Sequence, residues 1–147
     1  MNREEKIELL SSGLYCITAE EHSNGRANAV VAAQMLDAGA RIIQYREKDK
    51  TKLAKYRECV RLREMTSKYG ALLIVNDDAD LALAVQADGV HIGQDDMPIG
   101  AVRQICGKDM IIGLSTHSPR QAEDAVARGA DYIGVGPIYR TFTKKNV

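Results

Sequence analysis

The chain has 147 residues, of which 45% are hydrophobic and 27% charged, and its formal net charge is zero. This length suits one globular domain, residues 1–147, and the neutral balance excludes the broad basic surface that nucleic-acid binding needs. No apolar run reaches the roughly 20 residues that span a bilayer, and the opening MNREEKIELL lacks the design of a signal peptide. We therefore expect a cytoplasmic protein with no membrane partner. Cys16, Cys59 and Cys106 have no metal-binding spacing and are expected to be small packing residues.

Short β-rich runs alternate with helical stretches along the chain. Strands are predicted at Leu14–Thr18, Arg41–Arg46, Leu72–Asn76, Gly89–Ile92, Ile111–Ser115 and Tyr132–Val135. Apolar residues at helical spacing lie between them, at Ala27, Val30, Val31 and Ala38, at Leu53, Tyr56 and Val60, and at Ala122, Ala125, Val126 and Gly129. Ser118-Pro119-Arg120-Gln121 predicts a capping box, and Asp95-Asp96-Met97-Pro98 predicts another helix start.

Strict alternation of this kind predicts an α/β fold with a parallel sheet, either doubly wound or closed into a barrel. A similar strand entry recurs at Ala40-Arg41, Ala87-Asp88 and Ala130-Asp131, near-equal intervals that favour a repeating barrel. The first predicted strand is followed by Ala19-Glu20-Glu21-His22, which is no glycine-rich dinucleotide-binding turn. We therefore predict a (βα)8 barrel of the TIM type with only about six βα units present, an incomplete barrel.

Polar residues cluster where the predicted strands end, and in a barrel that end carries the active site. Arg46 can clamp phosphate oxygens in a bidentate manner, while Lys48 and Lys144 supply point charges. Asp77 and Asp96 follow adjacent strands and are the hard oxygen ligands that Mg²⁺ prefers. Neutral hydroxyl donors are also available in the same segments, at Ser115, Thr141 and Thr143.

Structural explanations compete with this interpretation. Asp77 or Asp78 could cap the following helix, as could Asp96. Arg46, Glu47 and Lys48 could form a solvated charge run, His91 a satisfied core histidine and Tyr45 a packing residue. The placement of all these groups at one end of successive strands favours a site, because independent accidents would not coincide there.

The order and spacing of these segments resemble the thiamine phosphate synthase family over nearly all the chain after residue 13. The resembling segments are Leu14–Thr18, Gln44–Lys48, Ile74–Asp77, Ala87–Asp96, Gly113–His117 and Gly134–Ile138 leading to Thr141-Phe142-Thr143-Lys144. The resemblance implies a (βα)8 barrel that joins a pyrimidine diphosphate (HMP diphosphate) to a thiazole phosphate, releasing pyrophosphate with Mg²⁺ as cofactor. The sibling thiazole tautomerases share the barrel but have no use for a magnesium-pyrophosphate site, so the synthase is favoured.

The resemblance also implies roles for individual residues. Asp77 and Asp96 would hold Mg²⁺, and Arg46, Lys48, Ser115 and Lys144 would be catalytic. Thr141 and Thr143 would contact the thiazole phosphate, and His91 would lie near the pyrimidine. The full set expected to bind substrate comprises Gln44, Tyr45, Arg46, Glu47, Lys48, Asn76, His91, Ser115, Thr141, Phe142, Thr143 and Lys144.

The family pattern continues with two further strands that this sequence does not show. We therefore expect a fragment, a natural truncation, or a homo-oligomer in which two copies cover the open edges of the barrel. Two alternative functions stay open: a non-catalytic remnant that binds phosphate compounds or only self-associates, and an unrelated phosphate-binding barrel such as a sugar-phosphate isomerase. The second is disfavoured, because paired carboxylates with an Arg/Lys clamp suit a diphosphate better.

Overall fold

A computed structural model describes residues 1–11 and 13–139 of the chain. The helices are α1 (Arg3–Leu10), α2 (Asn28–Asp37), α3 (Lys52–Lys68), α4 (Ala79–Ala84), α5 (Ile99–Cys106) and α6 (Pro119–Ala127), with a short 3-10 turn at Glu20–His22. The strands are β1 (Tyr15–Thr18), β2 (Ile42–Tyr45), β3 (Leu72–Asn76), β4 (Gly89–Ile92), β5 (Ile111–Thr116) and β6 (Tyr132–Val135).

The six strands form one parallel sheet in the order of the sequence, β1-β2-β3-β4-β5-β6. Each pair is joined in register, for example Ile43 with Leu73 and Val90 with Ile112. The order is that of a half-barrel, which confirms the predicted architecture. Among the described residues, β1 and β6 each pair with one neighbour only.

Alternate residues of each strand face opposite sides, as the pleat of a strand requires. The outward residues, such as Ile43, Leu73, Val90 and Ile112, pack with the helices in the larger hydrophobic core. The inward residues Ile42, Leu72, Ile74 and Ile111 form a smaller cluster near the amino-terminal ends of the strands. Leu9 and Leu10 of α1 pack against this inner cluster, so α1 closes that end of the half-barrel.

The strand predictions are confirmed to within one residue at each end. The helices lie where the spacing predicted them, but each of the three predicted sets of apolar residues includes an exposed one, and Val126 in α6 is 70% exposed. Val30 is 48% exposed and Leu53 is 58% exposed. The buried residues are Asn28, Ala32 and Leu36 in α2, and Cys59, Leu62 and Thr66 in α3. Periodicity therefore did not decide which residues of these two helices face the sheet.

The helix ends differ in part from the expected caps. The Ser118 side chain accepts a hydrogen bond from Gln121 N, as predicted. The Gln121 carboxamide, however, accepts from His117 N and not from the N-cap backbone. Asp78 and Pro98 occupy the N-cap positions of α4 and α5, and neither provides a side-chain cap. Capping therefore does not account for Asp78 or Asp96.

Two aspartates of the recurring strand entries are buried at the amino-terminal end of the sheet. Asp88 accepts hydrogen bonds from Leu73 N at 2.9 Å and from the Arg63 guanidinium at 2.5 Å. Asp131 accepts from Ile112 N and from Arg103, both at 2.8 Å, and also pairs with Arg3 of α1. Each carboxylate thus ties one strand to its neighbour and to a helix.

In the part of the chain described, no helix is long and apolar enough to cross a membrane.

Candidate active site

A cavity of about 600 Å³ occupies the concave inner face of the half-barrel. Its apolar walls include Leu10, Ile17 and Val135, and its polar groups come from successive strands. The polar residues are Tyr15, Gln44, Arg46, Asn76, His91, Ser115, His117 and Tyr132. The cavity therefore brings together five of the predicted site residues: Gln44, Arg46, Asn76, His91 and Ser115.

Tyr45 and Glu47 point away from this cavity, because they alternate with Gln44 and Arg46 along the chain. Tyr45 is 1% exposed in the outer core, and its hydroxyl donates to Glu58 at 2.7 Å. Burial and the Glu58 carboxylate raise the pKa of the Tyr45 hydroxyl far above its usual value. Glu47 accepts hydrogen bonds from Glu20 N and from the Asn28 amide, both at 2.8 Å. The structure thus places these two predicted binding residues among the helices.

A network behind β2 holds the segment that carries Arg46 and Lys48. The Asn28 amide donates to both Glu47 and Glu58, and Lys50 pairs with Glu58 at 2.5 Å and with Glu20. Burial opposes ionisation of Glu58, but its bonds from Lys50, Tyr45 and Asn28 prevail and lower its pKa. Residues 45, 47 and 50 are therefore fixed to α2 and α3, while residue 46 reaches the cavity.

Asp77, Asp96 and Lys48 meet at the carboxyl-terminal end of the sheet. The Lys48 ammonium lies 2.7 Å from Asp77 Oδ2. Asp96 receives a hydrogen bond from Gly93 N at 2.6 Å and lies beside Asp77. Burial raises the pKa of Asp77, Lys48 opposes this, and the neighbouring Asp96 carboxylate raises it further. The two adjacent carboxylates repel each other, and a cation bound between them would offset this repulsion.

The backbone at Asp77 adopts an uncommon conformation. Its φ is +62°, and Asp78 N donates to Asn76 O across it at 2.7 Å, forming a γ-turn. Such turns with positive φ cost a non-glycine residue about 1–3 kcal/mol. Asp78 is held in place by Lys52 at 2.6 Å and Lys55 at 3.0 Å, both from α3. These ion pairs and the bond from Asp77 N to His91 O at 2.8 Å hold the turn.

The donor set at Asp77 and Asp96 fits Mg²⁺. Magnesium in proteins takes one or two carboxylates, and water and substrate phosphates fill its remaining positions. Among the described residues no group of three or more His, Cys, Asp or Glu side chains could form an all-protein cage.

Sequence reasoning missed Tyr15, Tyr132 and His117 as cavity residues. The His117 ring contacts Gly136 O at 2.6 Å, and the two tyrosines come from the first and last described strands. Alternation along each strand was the available signal, since Tyr15 and Tyr132 share the parity of the inward residues. Thr141, Phe142, Thr143 and Lys144 lie outside the described residues.

The chain matches a known protein family over most of its length. The thiamine monophosphate synthase family matches residues 14–147. The chain belongs to the thiamine monophosphate synthase family.

Two curated relatives illustrate how much of the family's length is present. The thiamine-phosphate synthase of Pelotomaculum thermopropionicum is 58% identical over 139 residues, covering 95% of this chain and 64% of that protein. The one from Caldicellulosiruptor saccharolyticus is 54% identical over 145 residues, covering 98% and 66%. The chain thus spans just under two thirds of the length of these relatives.

Solved structures support the fold. Thiamine phosphate pyrophosphorylase from Pyrococcus furiosus superposes with a TM-score of 0.80 at 38% identity, covering 85% of this chain and 60% of that one. A Schiff-base-forming fructose-1,6-bisphosphate aldolase superposes with a TM-score of 0.58 at 18% identity and shows the shared barrel architecture alone.

Proposed function

We propose that this protein binds the pyrimidine diphosphate of the thiamine-phosphate synthase reaction and takes part in its coupling to the thiazole phosphate. The observation that carries the proposal is the meeting of Asp77, Asp96 and Lys48 at the carboxyl-terminal end of the sheet. Asp77 directly follows Asn76, and Lys48 lies two residues after Arg46; both Asn76 and Arg46 line the cavity. Paired carboxylates suit Mg²⁺, and the Arg and Lys side chains suit a diphosphate. The apolar walls around Tyr15 and Tyr132 suit a flat pyrimidine ring.

The proposed chemistry is a dissociative displacement. The bond between the pyrimidine methylene carbon and the diphosphate oxygen breaks, and its electron pair leaves with pyrophosphate. The thiazole nitrogen then donates its lone pair to the methylene carbon, forming the new carbon–nitrogen bond. Arg46, Lys48 and Ser115 hold the leaving group as its negative charge grows, and no covalent protein nucleophile is needed.

A bound Mg²⁺, held by Asp77 and Asp96, would supply further positive charge at the leaving group. The roles of Lys144 at the diphosphate, and of Thr141, Phe142 and Thr143 at the thiazole phosphate, stay predictions from the resemblance.

The test is calorimetric titration of the chain with HMP diphosphate and Mg²⁺, followed by an assay for thiamine phosphate after adding the thiazole phosphate. Asp77→Ala and Arg46→Ala should each weaken Mg²⁺-dependent binding by about tenfold or more, as expected for losing a charge-assisted contact. Unchanged binding in both variants would refute the proposed site.

Matched controls come from the opposite end of the sheet. Arg41 precedes β2, and its guanidinium donates to Ala40 O at 3.1 Å; Asp109 is an exposed residue before β5. Arg41→Ala and Asp109→Ala remove the same charges from the same protein and should leave binding unchanged.

A second candidate is binding of the diphosphate without coupling, the non-catalytic alternative. The open edges of the half-barrel favour this candidate. Among the described residues β1 and β6 each pair with one neighbouring strand, and Leu14 and Val135 at these edges are 78% and 66% exposed. Normal HMP diphosphate affinity with no thiamine phosphate formed would support it. A homo-oligomer that covers these edges stays a prediction, and a monomer of 16.1 kDa on size-exclusion chromatography would contradict it.

A further inference from the structure

A continuous chain of hydrogen bonds crosses the concave face of the half-barrel through five strands. Gln44 Nε2 donates to Tyr15 Oη at 2.8 Å, and Tyr15 Oη lies 2.6 Å from Tyr132 Oη. Tyr132 Oη lies 3.0 Å from His91 Nδ1, and His91 Nε2 lies 2.9 Å from Ser115 Oγ. We call these five residues the interior relay. It ends on a hydroxyl that faces the cavity where the diphosphate is proposed to bind.

Packing fixes the positions of the relay's rings. The Tyr132 ring centroid lies 5.6 Å from that of Tyr15 and 5.4 Å from that of His91. A Cβ atom at Gly113 would lie 2.1 Å from Tyr132 Cζ, so the ring occupies the space that any other residue there would fill. Burial raises the pKa of Tyr15 to about 12 and that of Tyr132 well above its usual value. Both phenols therefore keep their protons at neutral pH.

Proton counting gives the relay a direction. Each phenol has one proton to donate. Tyr15 accepts from the Gln44 amide, so its own proton is available for the Tyr132 oxygen. Tyr132 in turn has its proton for His91 Nδ1. A neutral imidazole that accepts at Nδ1 carries its proton on Nε2, and it donates that proton to Ser115 Oγ.

We propose that Tyr15 and Tyr132 are positioning residues that hold His91 as the neutral Nε2–H tautomer. Ser115 Oγ then accepts from His91, and the serine proton is left to point into the cavity as a donor to an anionic oxygen. The identity of that oxygen, a diphosphate oxygen, rests on the proposed function, whereas the tautomer of His91 does not. If the relay ran in the reverse direction, Ser115 would donate to His91 and offer the cavity only lone pairs.

The experiment is long-range ¹H–¹⁵N correlation NMR of the chain labelled with ¹⁵N-histidine at neutral pH. The sequence has three histidines, and His22→Gln and His117→Gln assign the signals of His91. The wild-type chain should show His91 protonated on Nε2. Tyr132→Phe removes the donor to Nδ1 and should convert His91 to a mixture of tautomers, with a smaller change in Tyr15→Phe. Protonation on Nδ1 in the wild-type chain, or an unchanged signal in Tyr132→Phe, would overturn the proposal.

Tyr45→Phe is the matched control. It removes a phenol oxygen from the outer face of the same sheet, where the hydroxyl donates to Glu58. A general loss of packing or stability would affect both variants, but only Tyr132→Phe should change the His91 tautomer.

Gln44→Glu provides a second, independent variant in case Tyr132→Phe does not fold. An ionised carboxylate at position 44 can only accept, so Tyr15 would donate to it, Tyr132 to Tyr15 and His91 Nδ1–H to Tyr132. The relay should then reverse, and the His91 signals should move to the Nδ1–H tautomer. A persistent Nε2–H signal with an ionised carboxylate at position 44 would contradict the relay.

Binding of inorganic pyrophosphate with Mg²⁺ separates this inference from the proposed function. We expect Tyr132→Phe to weaken pyrophosphate binding several-fold. Tyr69→Phe, which removes a hydroxyl that donates to Asp37 outside the cavity, should leave it unchanged. A wild-type chain that has the Nε2–H tautomer but does not bind pyrophosphate would refute the proposed function and leave the relay standing. A wild-type chain that binds pyrophosphate but has the Nδ1–H tautomer would refute the relay and leave the proposed function standing.

Discussion

At the amino-terminal end of the sheet, Asp88 and Asp131 are surrounded by donors, whereas Asp77 at the carboxyl-terminal end faces another carboxylate across a strained turn. The Asp131 side chain is fully buried, and it bonds to Ile112 N, Arg103 and Arg3. Asp77 has a positive φ, an ion pair to Lys48, and a pKa raised by burial and by Asp96.

The difference separates carboxylates that stabilise the fold from carboxylates that are kept for a ligand. A buried carboxylate that accepts several hydrogen bonds joins elements, and its loss leaves donors without partners. A carboxylate beside a like charge costs folding free energy that a bound cation can return. The sheet thus carries stabilising carboxylates, Asp88 and Asp131, at its amino-terminal end and a mutually repelling pair, Asp77 and Asp96, at the other end.

The largest expected effect is at the stabilising end. Asp131→Ala leaves Ile112 N and two arginines without their carboxylate, and it should lower the free energy of unfolding by about 3–5 kcal/mol. Urea denaturation followed by circular dichroism measures it. Asp124→Ala, which breaks an exposed pair with Arg128, is the control and should cost under about 1 kcal/mol. Equal losses in the two variants would remove the distinction between the two ends of the sheet.

At the other end, a substitution should stabilise the protein while it damages the site. Asp77→Gly relieves the positive φ and removes a carboxylate repelled by Asp96, so the free energy of unfolding should rise by about 1 kcal/mol. The same variant should lose Mg²⁺-dependent diphosphate binding.

The control for Asp77→Gly is Gln86→Gly. Gln86 is an exposed non-glycine residue with φ of +54° that lies in the turn after α4. It should gain comparable stability and keep ligand binding. A destabilised Asp77→Gly protein would show that the turn is not strained.

The smallest expected effect is a difference in pH dependence between two adjacent residues. Burial opposes ionisation of Asp78, but Lys52 and Lys55 prevail and lower its pKa, whereas the pKa of Asp77 is raised. Asp78 therefore stabilises the fold above its unfolded pKa, and this contribution disappears as the pH falls through its lower folded pKa. Ionised Asp77 destabilises the fold at neutral pH, and the penalty disappears as the pH falls through its raised folded pKa.

Thermal unfolding between neutral and acid pH distinguishes the two. Asp78→Asn should be less stable than wild type at neutral pH by up to about 1 kcal/mol, and Asp77→Asn should be slightly more stable. Both differences should shrink toward acid pH. If both variants were more stable, or both less stable, than wild type at neutral pH, the opposite roles of Asp77 and Asp78 would be contradicted.

The strand positions and the faces of their side chains could be predicted from the sequence. The strands were predicted to within one residue because short runs rich in Ile and Val between polar turns have few other interpretations. The parity of these strands also holds information about which side chains share a face. Alternation alone places Gln44 and Arg46 on one face and Tyr45 and Glu47 on the other, as the structure has them.

Other features depended on contacts between distant parts of the chain. Helical spacing suggested buried faces at Val30 and Leu53, but these residues are exposed, because packing on the sheet selected Ala32, Leu36 and Leu62 instead. The hydroxyls of Tyr15 and Tyr132 meet only because β1 and β6 curve toward each other. The ion pairs of Lys52 and Lys55 with Asp78 likewise join α3 to the turn after β3.

The sequence by itself determined the parallel βα order, the family and the end of the strands that carries the polar residues, since these follow from local periodicity and motif spacing. Only the tertiary structure decided which carboxylates are fully bonded, which one is strained and how His91 is connected to Gln44. Those properties arise from hydrogen bonds between side chains far apart in the chain, and strand pairing and barrel curvature alone bring such side chains within bonding distance.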